Sequence, residues 1–310
     1  MKTLYVITGP TATGKTELGV RLCEAIGGEV VSADSMQIYQ HMDIGTAKPA
    51  PSEMRGVPHH IIAVASPFEN YSVSRYVEDA TRCCEDVFAR GRTPVLVGGT
   101  GLYIESLLSG RDFAPMPENT ERRGELSAQY DELGGEKMLE RLAERDPERA
   151  RKLHPNDKKR IVRALEISES GRTISGHDER TRALPPRYAA RTIVLDFEDR
   201  QALYDRIDRR VELMLERGLV DEVRRLLAMG LTRGHTAMQA IGYKEIAAAL
   251  EGRLTMAEAV ETVKRESRRY AKRQISWCKR YEDALRVNWK NTPDFEEALR
   301  ASTKFWGELG

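Results

Sequence analysis

Residues 9–16 have the types and spacing needed to hold a polyphosphate. The run is Gly9-Pro10-Thr11-Ala12-Thr13-Gly14-Lys15-Thr16, and it lies between a predicted strand and a predicted helix. Glycines let backbone N–H groups surround a phosphate, and the N-terminus of the helix adds partial positive charge. Lys15 would neutralise phosphate oxygens, and the Thr16 hydroxyl would bind Mg²⁺, the expected cofactor. The motif and its context predict a polyphosphate site, with an ordinary glycine turn as the structural alternative.

A single carboxylate, Asp34, ends the second predicted strand close to that phosphate site. Enzymes that hydrolyse or transfer a γ-phosphate usually carry an acidic residue at the end of a hydrophobic strand. Here the strand Pro94–Val97 runs into Gly98-Gly99-Thr100, which has no carboxylate. Asp34 is therefore predicted to hold the N–H or O–H of a nucleophile. Capping of the next helical turn is its structural alternative.

Two basic segments are spaced to contact a nucleic acid. Lys264–Arg280 contains eight basic residues and one acid, and its basic pairs recur every four residues, so they share one face of a helix. This density predicts phosphate-backbone contact, although a solvated helix remains open. In the second segment, Lys158–Arg163, Arg160 and Arg163 lie on one helical face.

A third basic group lies in a predicted helix that begins near Arg200. Arg209 follows Arg206 by three residues, so the two could converge on one anionic site. Ion pairing with Asp205 and Asp208 is the structural alternative.

Alternating strands and helices must position these residues. Strands are predicted at Leu4–Thr8, Glu29–Ser32, Pro94–Val97 and Thr192–Asp196, with helices between them. The fold class is α/β, a P-loop NTPase-like parallel sheet core flanked by helices. Prolines at 115 and 117 and at 185 and 186 delimit an inserted helical domain at 117–183, and the core comprises 1–116 and 184–310. The first helix is predicted over about Lys15–Ile26. The part after Arg200 is predicted to be helical, over Arg200–Met229, Met238–Glu251 and Thr255–Tyr281.

Composition narrows the class of protein. The length of 310 residues predicts two domains or one with an insertion, and 40% hydrophobic residues exclude disorder of the whole chain. No apolar run is long enough for a membrane span or a signal peptide, and the four cysteines are scattered. We expect a cytoplasmic protein with reduced thiols. The net charge of +1 hides the basic segments.

Several segments, taken in order, resemble one enzyme family. They are Gly9–Thr16, Asp34–Tyr39, Met42–Pro49, Gly98–Tyr103, His154–Asp157, Ile241–Lys244 and Lys272–Trp277. Over nearly its whole length the sequence resembles tRNA dimethylallyltransferases (tRNA isopentenyltransferases). It is similar to the bacterial form, because the zinc-finger extension of eukaryotic relatives is absent.

The resemblance implies a reaction and its partners. The dimethylallyl group of dimethylallyl diphosphate would pass to N6 of adenosine 37 in the tRNA anticodon loop, with release of pyrophosphate. Asp34 would accept an N–H of the exocyclic amine, Thr100 would lie beside the reacting centre, and Arg209 would stabilise the diphosphate. The adenosine must flip out of its stack to reach a buried carboxylate. No stable protein partner is implied, and a monomer is expected.

The resemblance also implies tRNA-binding residues in several separate parts of the chain. The expected contacts with the flipped base and the anticodon stem-loop are Asp34, Ser35, Met36, Gln37, Arg123, Lys159, Arg160, Arg163, Gln239, Gly242, Tyr243 and Lys244. The basic helix adds Arg268, Arg269 and Arg273.

Two other classes of function account for part of the sequence. A small-molecule kinase would explain residues 9–16 and Asp34 but would leave the basic segments without a role. A nucleic-acid motor would need the missing acidic strand end. Transfer of a labelled prenyl group to tRNA, as opposed to consumption of ATP, separates the three classes.

Overall fold

The computed structural model describes residues 1–110, 120–171, 173–176, 179 and 184–307. The chain forms two compact units, which we call the sheet unit (Met1–Leu108 with Tyr188–Gly310) and the helical unit (Ser109–Arg187). The division lies a few residues outside the predicted boundaries of 117 and 183. Phe113–Pro117, which marked the first boundary in the sequence, lies outside the described residues.

The sheet unit is built on six parallel strands. They are β1 (Thr3–Thr8), β2 (Gly28–Ser32), β3 (His59–His60), β4 (Thr93–Val97), β5 (Ala189–Phe197) and β6 (Leu285–Trp289). Their order in the sheet is β3-β2-β4-β1-β5-β6. The central strand β4 is buried from Pro94 to Val97, which explains its continuous apolar sequence. The predicted α/β fold class is confirmed.

The sheet order brings three loops to one edge. Strands β2, β4 and β1 are neighbours, with Val31 beside Leu96 and Leu96 beside Val6. Residues 9–16 follow β1, Asp34 follows β2, and Gly98–Thr100 follows β4. Ligands of open α/β sheets bind outside the carboxyl ends of such strands. The fold therefore places all three chemical motifs at one site.

Helices cover the sheet and extend the unit. In the first part they are α1 (Lys15–Ile26), α2 (Pro51–Met54), α3 (Val73–Ala89) and α4 (Gly101–Leu108). The later helices are α9 (Arg200–Glu216), α10 (Leu219–Ala228), α11 (Tyr243–Leu250), α12 (Met256–Cys278) and α13 (Phe295–Gly307). A short 3₁₀ turn spans Ala237–Gln239. The described helices include none with the length and hydrophobicity required to cross a bilayer.

The prediction that the part after Arg200 is wholly helical is wrong in two places. The expected helix Arg200–Met229 breaks at Gly218, whose φ of 96° ends α9 and starts α10. Leu285–Trp289 is a strand that pairs with β5. Its burial alternates along the strand, as expected at the edge of a sheet. Because polar residues alternate with apolar ones, it lacks the continuous apolar sequence that marks a central parallel strand.

The helical unit has its own core. Its helices are α5 (Thr120–Leu133), α6 (Gly135–Ala143), α7 (Pro147–Arg151) and α8 (Lys158–Glu169). Leu126, Met138, Leu142 and Leu165 are fully buried and pack in one cluster. Asp146 caps α7 by accepting a hydrogen bond from the Arg149 amide at 3.1 Å.

Candidate active site and nucleic-acid interface

The phosphate loop is held in a fixed shape by its own backbone. A Cβ on Gly9 would lie 2.2 Å from the Leu195 carbonyl oxygen, so only glycine lets the loop pass this close to β5. The buried Thr13 hydroxyl donates to the Pro10 carbonyl at 2.8 Å, and Lys15 Nζ donates to the same oxygen at 2.7 Å. These contacts preform a cradle before α1 begins.

Two cations share the electrostatics of this cradle. Burial and, after it, the neighbouring charge of Arg210 lower the pKa of Lys15 to about 8, while the carboxylate of Asp34 opposes the change. Burial also lowers the pKa of Arg210, which the carboxylate of Asp34 partly offsets. Cations whose charges disfavour one another in this way favour an anionic ligand between them. This is the environment that a diphosphate requires.

Asp34 faces the same cleft from the end of β2. The cleft is lined by Lys15, Thr16, Asp34, Gln37, Pro49, His59 and others. Oδ1 of Asp34 accepts hydrogen bonds from the amides of Met36 at 2.9 Å and Gln37 at 3.3 Å. The capping role predicted as an alternative is therefore real, and it orients the carboxylate in the cleft.

Thr100 fixes the backbone beside Asp34. Its Oγ1 accepts a hydrogen bond from the Ser35 amide at 3.0 Å and lies 3.4 Å from Ser35 Oγ. The Thr100 amide donates to the Ala33 carbonyl at 3.0 Å. Since these bonds flank Asp34 on both sides, Thr100 joins the ends of β2 and β4. Thr100 thus lies beside Asp34, as predicted, and its observed contacts fix the backbone on both sides of that residue.

Helix α12 completes the site with two residues that the sequence did not single out. The buried amide of Gln274 accepts a hydrogen bond from the Thr11 amide at 2.9 Å and donates to the Gly99 carbonyl at 3.0 Å. The Tyr270 hydroxyl is close to Thr100 and Gln274, and burial raises its pKa to about 12. The sequence had a signal for Gln274, since a neutral amide interrupts the basic run of α12.

His59 is a further residue of the cleft that sequence reasoning missed. Its Nδ1 lies 2.8 Å from the Val57 carbonyl oxygen. Its Nε2 is buried and has no hydrogen-bond partner, and burial lowers the pKa of the ring. In the sequence His59 lies next to another histidine, His60, and no motif or spacing marks either of them as part of a site.

Arg209 lies elsewhere than predicted. Its side chain is 60% exposed and pairs with Glu212 at 3.3 Å and Glu216 at 3.5 Å along α9. Arg210, one residue later on the helix, has the electrostatic coupling to Lys15 and Asp34. The cation coupled to the phosphate loop is therefore Arg210 and not Arg209, contrary to the prediction from spacing.

Comparison with known proteins agrees with this geometry. A family model described as IPP transferase matches residues 37–281, and one described as isopentenyl transferase matches residues 2–64. The chain is 43% identical over 307 residues to the tRNA dimethylallyltransferase of Acetivibrio thermocellus, covering 99% of this chain and 97% of that protein. This chain belongs to the tRNA dimethylallyltransferase family. The predicted family and enzyme class, a prenyltransferase, are confirmed.

Solved structures of the family have the same fold. The tRNA isopentenylpyrophosphate transferase of Bacillus halodurans is 37% identical, with a TM-score of 0.73 and coverage of 100% of this chain and 97% of that one. A eukaryotic dimethylallyltransferase acting on tRNA is 27% identical, with a TM-score of 0.83 and coverage of 100% and 81%. The kinase and motor alternatives find no support in these matches.

In the helical unit, two of the four predicted tRNA contacts are engaged in a buried ion cluster. Arg123 Nε lies 3.0 Å and Arg163 Nη1 2.7 Å from Glu166, whose side chain is 3% exposed. Both arginines therefore neutralise a buried carboxylate, and Arg123 joins α5 to α8. Lys159 and Arg160 are exposed, and Arg160 lies 3.7 Å from Asp157. These two residues have their charges directed to solvent.

On α12 the three predicted arginines differ in their surroundings. Arg268 binds both carboxylate oxygens of Asp208 at 2.5 Å, which joins α12 to α9. Arg269 is exposed and pairs with Glu266 at 2.7 Å within its own helix. Arg273 is exposed and lies over the ring of Tyr270 at 5.5 Å. Arg268 is thus a structural residue, whereas Arg269 and Arg273 remain predicted phosphate contacts.

The stretch Gln239–Lys244 divides in the same way. Tyr243 is fully buried, and its hydroxyl donates to Glu222 at 2.6 Å, so the predicted direct contact with tRNA is wrong for this residue. Gly242 has a φ of 97° and begins α11. Gln239 is exposed and donates to the Arg233 carbonyl. Lys244 is 40% exposed and lies 3.6 Å from Glu245.

Proposed function

We propose that this protein transfers the dimethylallyl group of dimethylallyl diphosphate to N6 of adenosine 37 in the tRNA anticodon loop. The products are N6-isopentenyladenosine and pyrophosphate. One observation carries the proposal: a carboxylate, Asp34, shares a cleft with the phosphate loop, while β4 ends in Gly98-Gly99-Thr100 without a water-activating acid. This arrangement suits a nucleophile other than water.

Asp34 is the base of the proposed reaction. The lone pair of the exocyclic adenine amine is delocalised into the ring, so the amine is a weak nucleophile. As the N6–C1 bond forms and the bond from C1 to the diphosphate oxygen breaks, Asp34 accepts the amine proton, and the bonding electron pair leaves with pyrophosphate. A well-placed general base contributes about 10²–10⁴ in rate.

Lys15 and Arg210 stabilise the leaving group. Negative charge develops on the bridging oxygen of the diphosphate in the transition state, and both cations are in place before that charge forms. Preorganised charges of this kind require no reorganisation during the reaction. The amides of the phosphate loop bind the remaining oxygens.

Magnesium is the proposed cofactor. Among the described residues no group of three or more His, Cys, Asp or Glu could hold a metal ion. The Thr16 hydroxyl in the cleft fits Mg²⁺, which takes one or two protein oxygens and is otherwise bound by phosphate oxygens and water. When bound, the ion neutralises diphosphate charge.

Ser35, Met36 and Gln37 are proposed to line the flipped base, because they follow Asp34 directly and are partly buried. The exposed cations Lys159, Arg160, Arg269, Arg273 and Lys244 are proposed to contact the anticodon stem-loop, together with Gln239. Phosphate contacts of this kind position the RNA.

The test is label transfer to an unmodified anticodon stem-loop. Protein, Mg²⁺ and dimethylallyl diphosphate labelled in the prenyl group are expected to give labelled RNA and free pyrophosphate. Consumption of ATP without labelling of RNA would refute the proposal.

Asp34→Asn separates catalysis from capping. Asparagine keeps an oxygen that can accept from the Met36 and Gln37 amides but removes the base. We expect turnover to fall by about 10²–10⁴, with unchanged RNA affinity and melting temperature. Asp34→Ala, which removes both functions, is expected to lose stability as well. Full turnover in Asp34→Asn would reduce Asp34 to a cap.

A further inference from the structure

A buried carboxylate on α10 is bonded to three consecutive backbone amides far from it in sequence. Glu222 is 2% exposed. Its Oε2 accepts from the amides of Asp43 at 2.9 Å and Ile44 at 2.8 Å, and its Oε1 accepts from the amide of Gly45 at 3.1 Å. Hydrogen bonds from N–H groups to an ionised carboxylate are about twice as strong as hydrogen bonds between two neutral groups. Glu222 therefore fixes this segment.

Tyr243 reinforces the same attachment from α11. Its hydroxyl donates to Glu222 Oε1 at 2.6 Å, and burial followed by the Glu222 charge raises its pKa. A Cβ on Gly45 would lie 2.5 Å from the Tyr243 ring. The ring and the segment are thus in close contact, and the glycine is required for it.

The attached segment continues into the proposed base pocket. Residues 43–48 form a compact turn, in which the Lys48 amide donates to the Asp43 carbonyl at 2.9 Å. Within this turn the carbonyls of Thr46 and Ala47 accept hydrogen bonds from Gln37 Nε2 at 3.3 and 3.2 Å. Because the amide nitrogen is used in this way, the amide oxygen of Gln37 is left to accept a hydrogen bond from a substrate base.

We propose that Glu222 and Tyr243 are positioning residues for this reaction. They hold residues 43–47, whose carbonyls orient the Gln37 amide beside Asp34, and they act on the RNA substrate without affecting the diphosphate. The inference rests on the proposed function, because it concerns the same site. Loss of either anchor releases the Thr46 and Ala47 carbonyls and with them the orientation of Gln37.

A double-mutant cycle tests the connection. Glu222→Gln and Tyr243→Phe are each combined with Gln37→Ala, and kcat/KM for the anticodon stem-loop and the Kd for pyrophosphate are measured. In the parent background each single change is expected to lower kcat/KM by about 10- to 100-fold, the effect of displacing a positioned group by about 1 Å. In the Gln37→Ala background the same changes are expected to have little further effect.

Asp221→Asn is the matched control, since this neighbouring carboxylate on α10 is 64% exposed and pairs with Arg224. Its kcat/KM is expected to stay at the parent value. Unchanged pyrophosphate affinity in Tyr243→Phe, which deletes a single hydroxyl, shows that the fold is intact. Equal losses with and without Gln37, or a loss of pyrophosphate affinity equal to the loss of kcat/KM, would overturn the inference.

Hydrogen exchange provides a readout independent of transfer. The amides of Asp43, Ile44 and Gly45 are expected to exchange faster in Glu222→Gln than in the parent and in Asp221→Asn. Unchanged protection would overturn the inference. If the parent transfers no prenyl group, the proposed function fails, and the cycle is then scored on the affinity for the stem-loop.

Discussion

Arg209 and Arg210 are adjacent residues with opposite surroundings, which makes them a matched pair. Arg209 is 60% exposed and forms ion pairs at 3.3 and 3.5 Å, and exposed pairs of this kind contribute about 0–1 kcal/mol. Arg209→Gln is therefore expected to change kcat by less than about fivefold. Arg210 is coupled to Lys15 and Asp34. Loss of a preorganised charge at the leaving group lowers kcat by about 10²–10³, and we expect this for Arg210→Gln.

The pH dependence of pyrophosphate binding gives a second test of the Arg210→Gln substitution. In the free protein the pKa of Lys15 is lowered to about 8 from 10.5, so Lys15 is protonated below pH 8 and loses its charge above it. Affinity should be full below that pH and fall by up to about tenfold per pH unit above it. Because the charge of Arg210 is the second-largest cause of the lowering, Arg210→Gln should move the break to higher pH.

The assay is calorimetric titration of pyrophosphate from about pH 7 to about pH 9.5, combined with single-turnover transfer. Arg209→Gln is expected to keep the parent break and nearly the parent rate. An equal loss of rate in both variants would refute the assignment of Arg210. A break that stays at the parent pH in Arg210→Gln would show that its charge does not act on Lys15.

Two further predictions concern α12. Arg273→Gln is expected to reduce the slope of log K for tRNA binding against log salt concentration by about 1, as measured by filter binding. Arg268→Gln breaks the pair with Asp208 and should lower the melting temperature, as measured by thermal unfolding. The reverse pattern of effects would contradict both assignments. A Cβ at Gly101 would lie 2.2 Å from Trp277 Cδ1, so Gly101→Ala is expected to destabilise the protein by about 1–3 kcal/mol. Denaturant unfolding measures this, and an unchanged midpoint would show that the indole relaxes away.

The motif-bearing part of the fold was predictable because its signals are local. Helix α1 begins at Lys15 and ends at Ile26, as the sequence predicts, since glycines precede and follow an amphipathic run. Strand β4 contains a continuous apolar segment, Pro94–Val97, which a buried parallel sheet requires. Strand β3 has only His59 and His60, too few residues to show any period.

Side-chain direction was the part that the sequence could not supply. Arg209 and Arg210 differ by one position, and a spacing rule cannot decide which of two neighbours faces a cleft formed by other elements. Tyr243 was expected to contact tRNA because of the family resemblance, yet its hydroxyl has a buried partner, Glu222, on another helix. Arg123 and Arg163 likewise meet Glu166, a carboxylate whose burial only tertiary packing creates.

The bonds that close the phosphate loop have a consequence for the order in which a growing chain becomes competent. Thr11 is bonded to Gln274, and the Thr13 carbonyl accepts from the Trp289 indole at 2.9 Å. The phosphate loop is thus completed by residues that are synthesised 263 and 276 positions later. A chain interrupted before α12 lacks both closures, and we expect it to have no working diphosphate site.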